Sequence, residues 1–292
     1  MNFMRFKFVY FAISALFILP GIYFLLTAGL KLSIDFSGGT LLEVKFIEPV
    51  SELDNEKILT TTEGEVEIFS IQQTSNDTFL LRLPPLEREQ VETIKTGFAV
   101  LSQDLEEVRL ETIGPTLGRE LLIKTLVGVG LAATFILAFI AWRFKQAKFG
   151  ICAILAMFHD TLILIGSFAI LGHFYGVEID ALFVTAVLTI LSFSVHDTVV
   201  VYDRIRESQK LYPKMELEIL VNKAVTETLV RSLNNSLTII FMLVALLLLG
   251  GETIRWFVVA LLIGTVAGTY SSTFTAAPLL IVWDRLTRKL KR

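Results

Sequence analysis

The sequence predicts an α-helical polytopic membrane protein with six transmembrane helices and an α+β domain between the first two. Three observations predict it. The 292 residues are 53% hydrophobic with a mean hydropathy of +0.66, above the roughly 45–50% of soluble domains. The apolar residues gather into six runs, 8–28, 121–142, 149–171, 181–202, 233–249 and 256–283, near the ~20 residues that cross a bilayer. The basic residues segregate between alternate connections, as topology signals do.

The first run follows Arg5 and Lys7, like a signal peptide. It is longer than a signal core and no small-residue cleavage site follows, so it reads as an uncleaved span. Lys and Arg then cluster before the first run, between the second and third, between the fourth and fifth, and after the sixth. The connections 172–180 and 250–255 hold only Arg255. Both termini are therefore expected in the cytoplasm. The segment 29–120, with 18 acidic and eight basic residues, is expected outside. The expected division is 1–28 for the N-terminus and first span, 29–120 for the outer domain, and 121–292 for the other five spans.

Within 29–120, Thr40–Phe46 alternates like a strand, and 51–57 opens with a capping serine and acidic residues like a helix. Strands are expected at 66–72 and 79–83, joined by Ser75-Asn76-Asp77, and Pro84-Pro85 ends the second. Residues 87–105 carry Val91, Ile94, Phe98 and Leu101 on one helical stripe, and 108–113 reads as a last strand. The order β-α-β-β-α-β is the ferredoxin-like split pattern. It fixes no function, and no metal spacing, nucleophile pair or phosphate loop accompanies it. Ser37-Gly38-Gly39 reads as a tight turn into the first strand.

The residues that point to chemistry lie in the membrane. His159-Asp160-Thr161 interrupts the third run and His196-Asp197-Thr198 the fourth. A carboxylate near the bilayer centre costs about 3 kcal/mol or more, so it is paired, faces water, or moves protons or ions. Arg231 opens the fifth run at a depth close to Asp197, which makes an Asp197–Arg231 pair geometrically accessible. Each aspartate has a second reading, as a hydrogen bond between helices. Successive helical side chains project about 100° apart, so His159 and His196 read as satisfied polar core residues rather than proton relays, and the two tripeptides lie at different depths for a shared metal. Asn234, Asn235 and Ser236 read equally as an N-cap of the fifth span or as functional polar groups. Gly264, Gly268, Ser271 and Ser272 give the sixth span a small face for close packing. Residues 215–229 read as an amphipathic cytoplasmic helix lying at the membrane surface or on the bundle. Cys152 reads as small apolar filler.

Five motifs in order, Ile34-Asp-Phe-Ser-Gly-Gly-Thr40, 197–207, Arg231-Ser-Leu-Asn-Asn-Ser-Leu-Thr238, 250–256 and Gly268-Thr-Tyr-Ser-Ser272, closely resemble the SecF family of protein-export membrane proteins, within the resistance-nodulation-division superfamily. The resemblance runs from first span to last and is weakest over 50–109. It implies a non-enzymatic transport subunit of the bacterial inner membrane that uses the proton gradient to assist late export. It implies no cofactor, metal or nucleic acid. The implied partners are a SecD-like six-helix subunit, the SecYEG translocon, YajC, the translocating preprotein and membrane lipid. It assigns Asp197 to the proton pathway with Arg231 coupled to it, and matches Asp160 to a recurrent third-span aspartate. His159, His196 and Asn234 become modulators, and Asp35, Gly38, Gly39 and Thr40 the outer-domain motif. One departure stands out: the residue before the fourth-span aspartate is usually Asn in the family and here is His196, a titratable group or a tolerated polar swap. Tyr202 for the commoner Phe is conservative. Two rivals remain, a proton-coupled small-molecule exporter and a structural assembly factor of the translocon.

Overall fold

A computed structural model describes residues 3–46, 68–75, 77–98, 105–144 and 146–290. Six helices among them are long and apolar enough to cross a membrane, as the six runs predict. They are α1 (Lys7–Thr27, after a tight turn at Phe3–Phe6), α4 (Pro115–Arg143), α5 (Ala147–Tyr175), α6 (Ala181–Leu211), α7 (Leu217–Leu249), and α8 (Glu252–Ser271), which runs on through a π turn at Ser272–Ala276 into α9 (Ala277–Leu290). Between α1 and α4 lie the short helix α2 (Ile34–Ser37), strands β1 (Gly39–Phe46), β2 (Ser70–Ser75) and β3 (Thr78–Leu83), helix α3 (Arg88–Phe98) and strand β4 (Leu105–Ile113). The chain forms two compact units, residues 32–126 and the remainder.

In the smaller unit the four strands lie in the order β2-β3-β1-β4, with β1 antiparallel to both β3 and β4. Side chains alternate across a strand. Leu42, Val44 and Phe46 of β1 and Phe79, Leu81 and Leu83 of β3 therefore share one buried face, which Val91, Ile94 and Phe98 of α3 cover. The strand order and the covering helix fit the split βαβ pattern. The expected first domain helix at 51–57, and Leu101 of the expected stripe, lie outside the described residues. The helix expected at 87–105 is described only as far as Phe98, and the last strand starts at Leu105 rather than 108.

In the larger unit, boundaries follow local chemistry. Asp180 Oδ1 accepts the Phe183 N–H at 2.7 Å and caps α6. Gly176, at φ +68°, ends α5. Two expectations need correction. The amphipathic helix at 215–229 is not a separate surface element. It is the first half of α7, continuous with the fifth span because no Gly or Pro interrupts 217–249. Asn234, Asn235 and Ser236 consequently sit mid-helix, where no N–H is left to cap.

Two close approaches set the bundle. A Cβ on Gly21 of α1 would lie 2.9 Å from the Gly166 Cα of α5, so these helices meet backbone to backbone. A Cβ on Gly264 of α8 would stand 2.3 Å from Ile190 Cγ1 of α6. The small face of the sixth span does pack closely, against the fourth.

Candidate functional site

Asp160 and Asp197 are 1% and 4% exposed, inside the bundle of α5, α6, α7 and α8. Asp160 Oδ2 accepts the hydroxyls of Ser194 on α6 at 2.5 Å and Ser271 on α8 at 2.6 Å. Asp197 Oδ2 accepts those of Ser232 on α7 at 2.6 Å and Ser272 at the π turn at 2.7 Å. Hydrogen bonds to a charged group contribute about 1.5–3 kcal/mol each, enough for two to offset the insertion cost of a carboxylate. Gly268 leaves room for this: a Cβ there would stand 3.6 Å from Asp160 Oδ2. The π turn adds a residue to the local helical repeat, a feature that gathers at functional sites.

Asp160 has three partners within this chain. Besides the two serines, Asp160 Oδ1 lies 2.9 Å from His159 Nδ1, and His159 Nε2 lies 2.8 Å from Ser14 Oγ on α1. His159 is a satisfied core histidine, as expected. His196 is not: it is exposed, and with Thr185, Leu188, Thr189, Ser192 and Phe193 it lines an open depression of about 620 Å³ on α6. Buried Asp197 and exposed His196 occupy different faces because they are one residue apart.

Arg231 does not reach Asp197. One residue before Ser232, it is turned by about 100° into a groove of about 560 Å³ with Val200, Asp203, Arg204, Glu207, Glu227 and Thr228. Arg204 pairs there with Glu207 and Glu227 at 2.6 Å. Asp203 pairs with Arg143 and Arg206. Asn234 is exposed, and of the polar run at 234–236 only Ser236 enters the core, taking the Thr269 hydroxyl at 2.7 Å. Sequence reasoning missed Ser194, Ser232 and Ser14 as site residues and read Ser271 and Ser272 as packing alone. The available signal was spacing: Ser194 is three residues before Asp197 and so shares its helix face. Among the described residues no three His, Cys, Asp or Glu side chains converge as a metal would require.

Residues 93–286 match the family described as protein export membrane protein SecD/SecF, C-terminal, and residues 23–50 match the SecD/SecF GG motif. The chain belongs to the SecD/SecF family. It is 44% identical to the protein translocase subunit SecF of Thermobaculum terrenum over 96% of this chain and 93% of that one. It is 37% identical to the SecF of Anaerolinea thermophila, over 97% and 94%. Its structure superposes on crystalline SecDF of Thermus thermophilus, a translocon-associated membrane protein, with a TM-score of 0.87 at 33% identity, covering 98% of this chain and 39% of that one. With six apolar helices and SecF relatives, it is a multi-pass membrane protein of protein export.

The SecD/SecF GG motif has a structural explanation here. Gly38 and Gly39 have φ of +74° and +137°, the region L side chains rarely adopt. A Cβ on Gly38 would lie 2.8 Å from the Pro115 Cα, and one on Gly39 2.9 Å from the Leu83 carbonyl oxygen. The turn thus threads between β3 and the start of α4. Thr40, fully buried, accepts the Leu86 N–H at 2.9 Å on Oγ1, which lies 3.0 Å from Thr112 Oγ1. Ser33 Oγ caps α2 by accepting the Asp35 N–H at 3.2 Å. Arg82 donates to the Leu32 carbonyl at 2.8 Å and to Ser37 Oγ at 2.6 Å.

Proposed function

We propose that this chain is the SecF-type half of a SecD–SecF pair that couples the proton gradient to protein export through the Sec translocon. The observation that supports this most is the burial of two carboxylates in membrane helices, held by serine hydroxyls and by no Lys or Arg among the described residues. Hydroxyls rotate, so they serve a carboxylate or a protonated carboxyl without leaving a buried group unpaired. A fixed cation does not.

Asp197 is the exchanging group in this reading, and Asp160 belongs to the same pathway. Ser232 now faces Asp197 and Arg231 lies one residue earlier in the groove. A rotation of α7 by about 100°, one residue's worth, exchanges one for the other. Protonated Asp197 suits the serine-bonded arrangement. Ionised Asp197 favours Arg231, since an opposite charge in a medium drier than water interacts strongly. Proton entry and exit would then drive a rotation of the fifth span. Proton release at the cytoplasmic face fits the expected orientation, in which the basic-residue pattern favours both termini in the cytoplasm and 29–120 outside, in a bacterial plasma membrane. SecYEG, YajC and the exported chain are the partners this role requires. The SecD-like half follows from the Thermus SecDF chain, of which this one matches only 39%.

The test is gradient-driven export in inner-membrane vesicles with Asp197→Asn. The expected result is normal assembly with loss of the gradient-dependent component. Unchanged export and proton flux would overturn the reading.

A further inference from the structure

His159 and Asp160 are consecutive on α5, and consecutive helical side chains normally point apart. Here they touch, Nδ1 to Oδ1, at 2.9 Å. The imidazole is turned back on its own neighbour and held from its far side by Ser14, 2.8 Å from Nε2. Tyr270 of α8 lies along the ring, with planes 19° apart. This arrangement is built in by the backbone. Gly21 follows Ser14 by seven residues and Gly166 follows His159 by seven. The Gly21–Gly166 contact therefore fixes the register of two parallel helices so that Ser14 meets His159. The Asp197 site uses none of these groups.

Charge and donor counts then decide what the pair holds. Asp160 Oδ2 is occupied by Ser194 and Ser271, which leaves Oδ1 to the imidazole. Among the described residues no Lys or Arg touches Asp160, and the titratable groups nearby are Tyr270 on α8, Tyr10 on α1, whose carbonyl takes the Tyr270 hydroxyl, and Asp197 beyond the serines. Ionised Asp160 beside neutral His159 leaves a net negative charge among apolar helices, where a carboxylate costs about 3 kcal/mol. One added proton, shared across Oδ1···Nδ1 while Nε2 keeps its hydrogen, makes the pair neutral whichever atom carries it. Ser14 accommodates both states. With the proton present, Nε2–H donates to Ser14 Oγ, whose own hydrogen turns to Thr275 Oγ1 at 3.4 Å. With the proton gone, the ring keeps its hydrogen on Nδ1 and Ser14 donates to Nε2. No buried polar atom among these four side chains loses its role in the exchange.

We propose that His159 and Asp160 form a single-proton site, with Ser14 as its positioning residue. The chain then holds two proton sites, linked through the adjacent Ser271 and Ser272. The relevance to export rests on the gradient-coupled reading above, whereas the proton site itself is measurable without a translocon. The experiment is a pH titration of the full chain in lipid nanodiscs. Nitrogen NMR of labelled histidine follows the ring, assigned with His159→Gln, and infrared spectroscopy follows the Asp160 carboxyl band. Ring and carboxyl should titrate in one shared step. Asp160→Asn should move the His159 midpoint by about one pH unit or more and leave His173 and His196 in place. Ser14→Ala should move it in a chain that melts normally, and Ser14→Thr should restore it. A His159 midpoint unmoved by both Asp160→Asn and Ser14→Ala overturns the proposal. Wild-type export that ignores the gradient would instead overturn the export reading and leave the proton site standing.

Discussion

Ser271 and Ser272 are consecutive, yet they donate to different buried aspartates, Ser271 to Asp160 and Ser272 to Asp197. They stand where α8 enters its π turn. Ser194 and Asp197, three residues apart on α6, face the same place. Both carboxylates therefore lean on one point of the sixth span. A change in charge at either one is expected to re-aim a hydroxyl beside the other.

The two serines can be separated by mutation. Ser272→Ala removes one of two donors to Asp197, and Ser271→Ala one of three groups on Asp160. Each loss is worth about 0.5–3 kcal/mol, the upper end applying where the carboxyl is ionised, so both variants should melt lower in detergent. Ser272→Ala should also cut gradient-driven export steeply, by roughly tenfold for each 1.4 kcal/mol lost from the coupled step, and Ser271→Ala, which touches the Asp160 site, by less. Unchanged melting and export in Ser272→Ala would show that its hydroxyl does not hold the carboxylate.

The sequence reads clearly wherever one residue's pattern decides its environment. Apolar run length marks all six spans, alternation at 40–46 marks β1, and the rarity of membrane carboxylates marks Asp160 and Asp197. It reads poorly wherever the partner comes from another helix. Ser14, Ser194 and Ser232 are ordinary small residues until the spans are packed, and nothing local says which serine faces a carboxylate. The Asp197–Arg231 pairing rests on depth and on the family resemblance, but rotation about the helix axis decides a contact, and Ser232 has the right angle in this state. The N-cap reading of Asn234 failed because α7 begins 17 residues earlier, at Leu217.

Gly264 gives a test of packing alone. A Cβ there would stand 2.3 Å from Ile190 Cγ1, and Ile190 is only 3% exposed and cannot withdraw. Gly264→Ala should destabilise the bundle by about 1–3 kcal/mol, the usual cost of overpacking. Ile190→Ala in the same chain should recover much of that loss. If the double variant melts below both single ones, the two positions do not share the clash.

The glycine turn of the smaller unit allows a graded comparison. Gly29 and Gly38 both have positive φ, at +71° and +74°, but a Cβ at Gly29 meets nothing within 4 Å while one at Gly38 meets Pro115. Gly29→Ala should cost only the backbone strain, about 1–2 kcal/mol. Gly38→Ala should cost clearly more, because what its Cβ meets is the Pro115 backbone at the start of α4, which cannot swing aside like a side chain. Limited proteolysis of the two variants should give the same order, with Gly38→Ala cut faster. Equal rates would mean that strain alone explains the motif.

Arg231 separates function from stability. It is exposed, lines a groove, and makes no ion pair among the described residues, so its removal should barely change melting, within about 0.5 kcal/mol. Ser232, its neighbour, is buried on Asp197, and Ser232→Ala should lower the melting temperature. If α7 rotates to bring Arg231 to an ionised Asp197, Arg231→Met should abolish gradient-driven export with the fold intact. A stable Arg231→Met protein that exports normally removes the rotation from the mechanism. A protein that instead melts early gives Arg231 a structural role that its exposed position in this state does not explain.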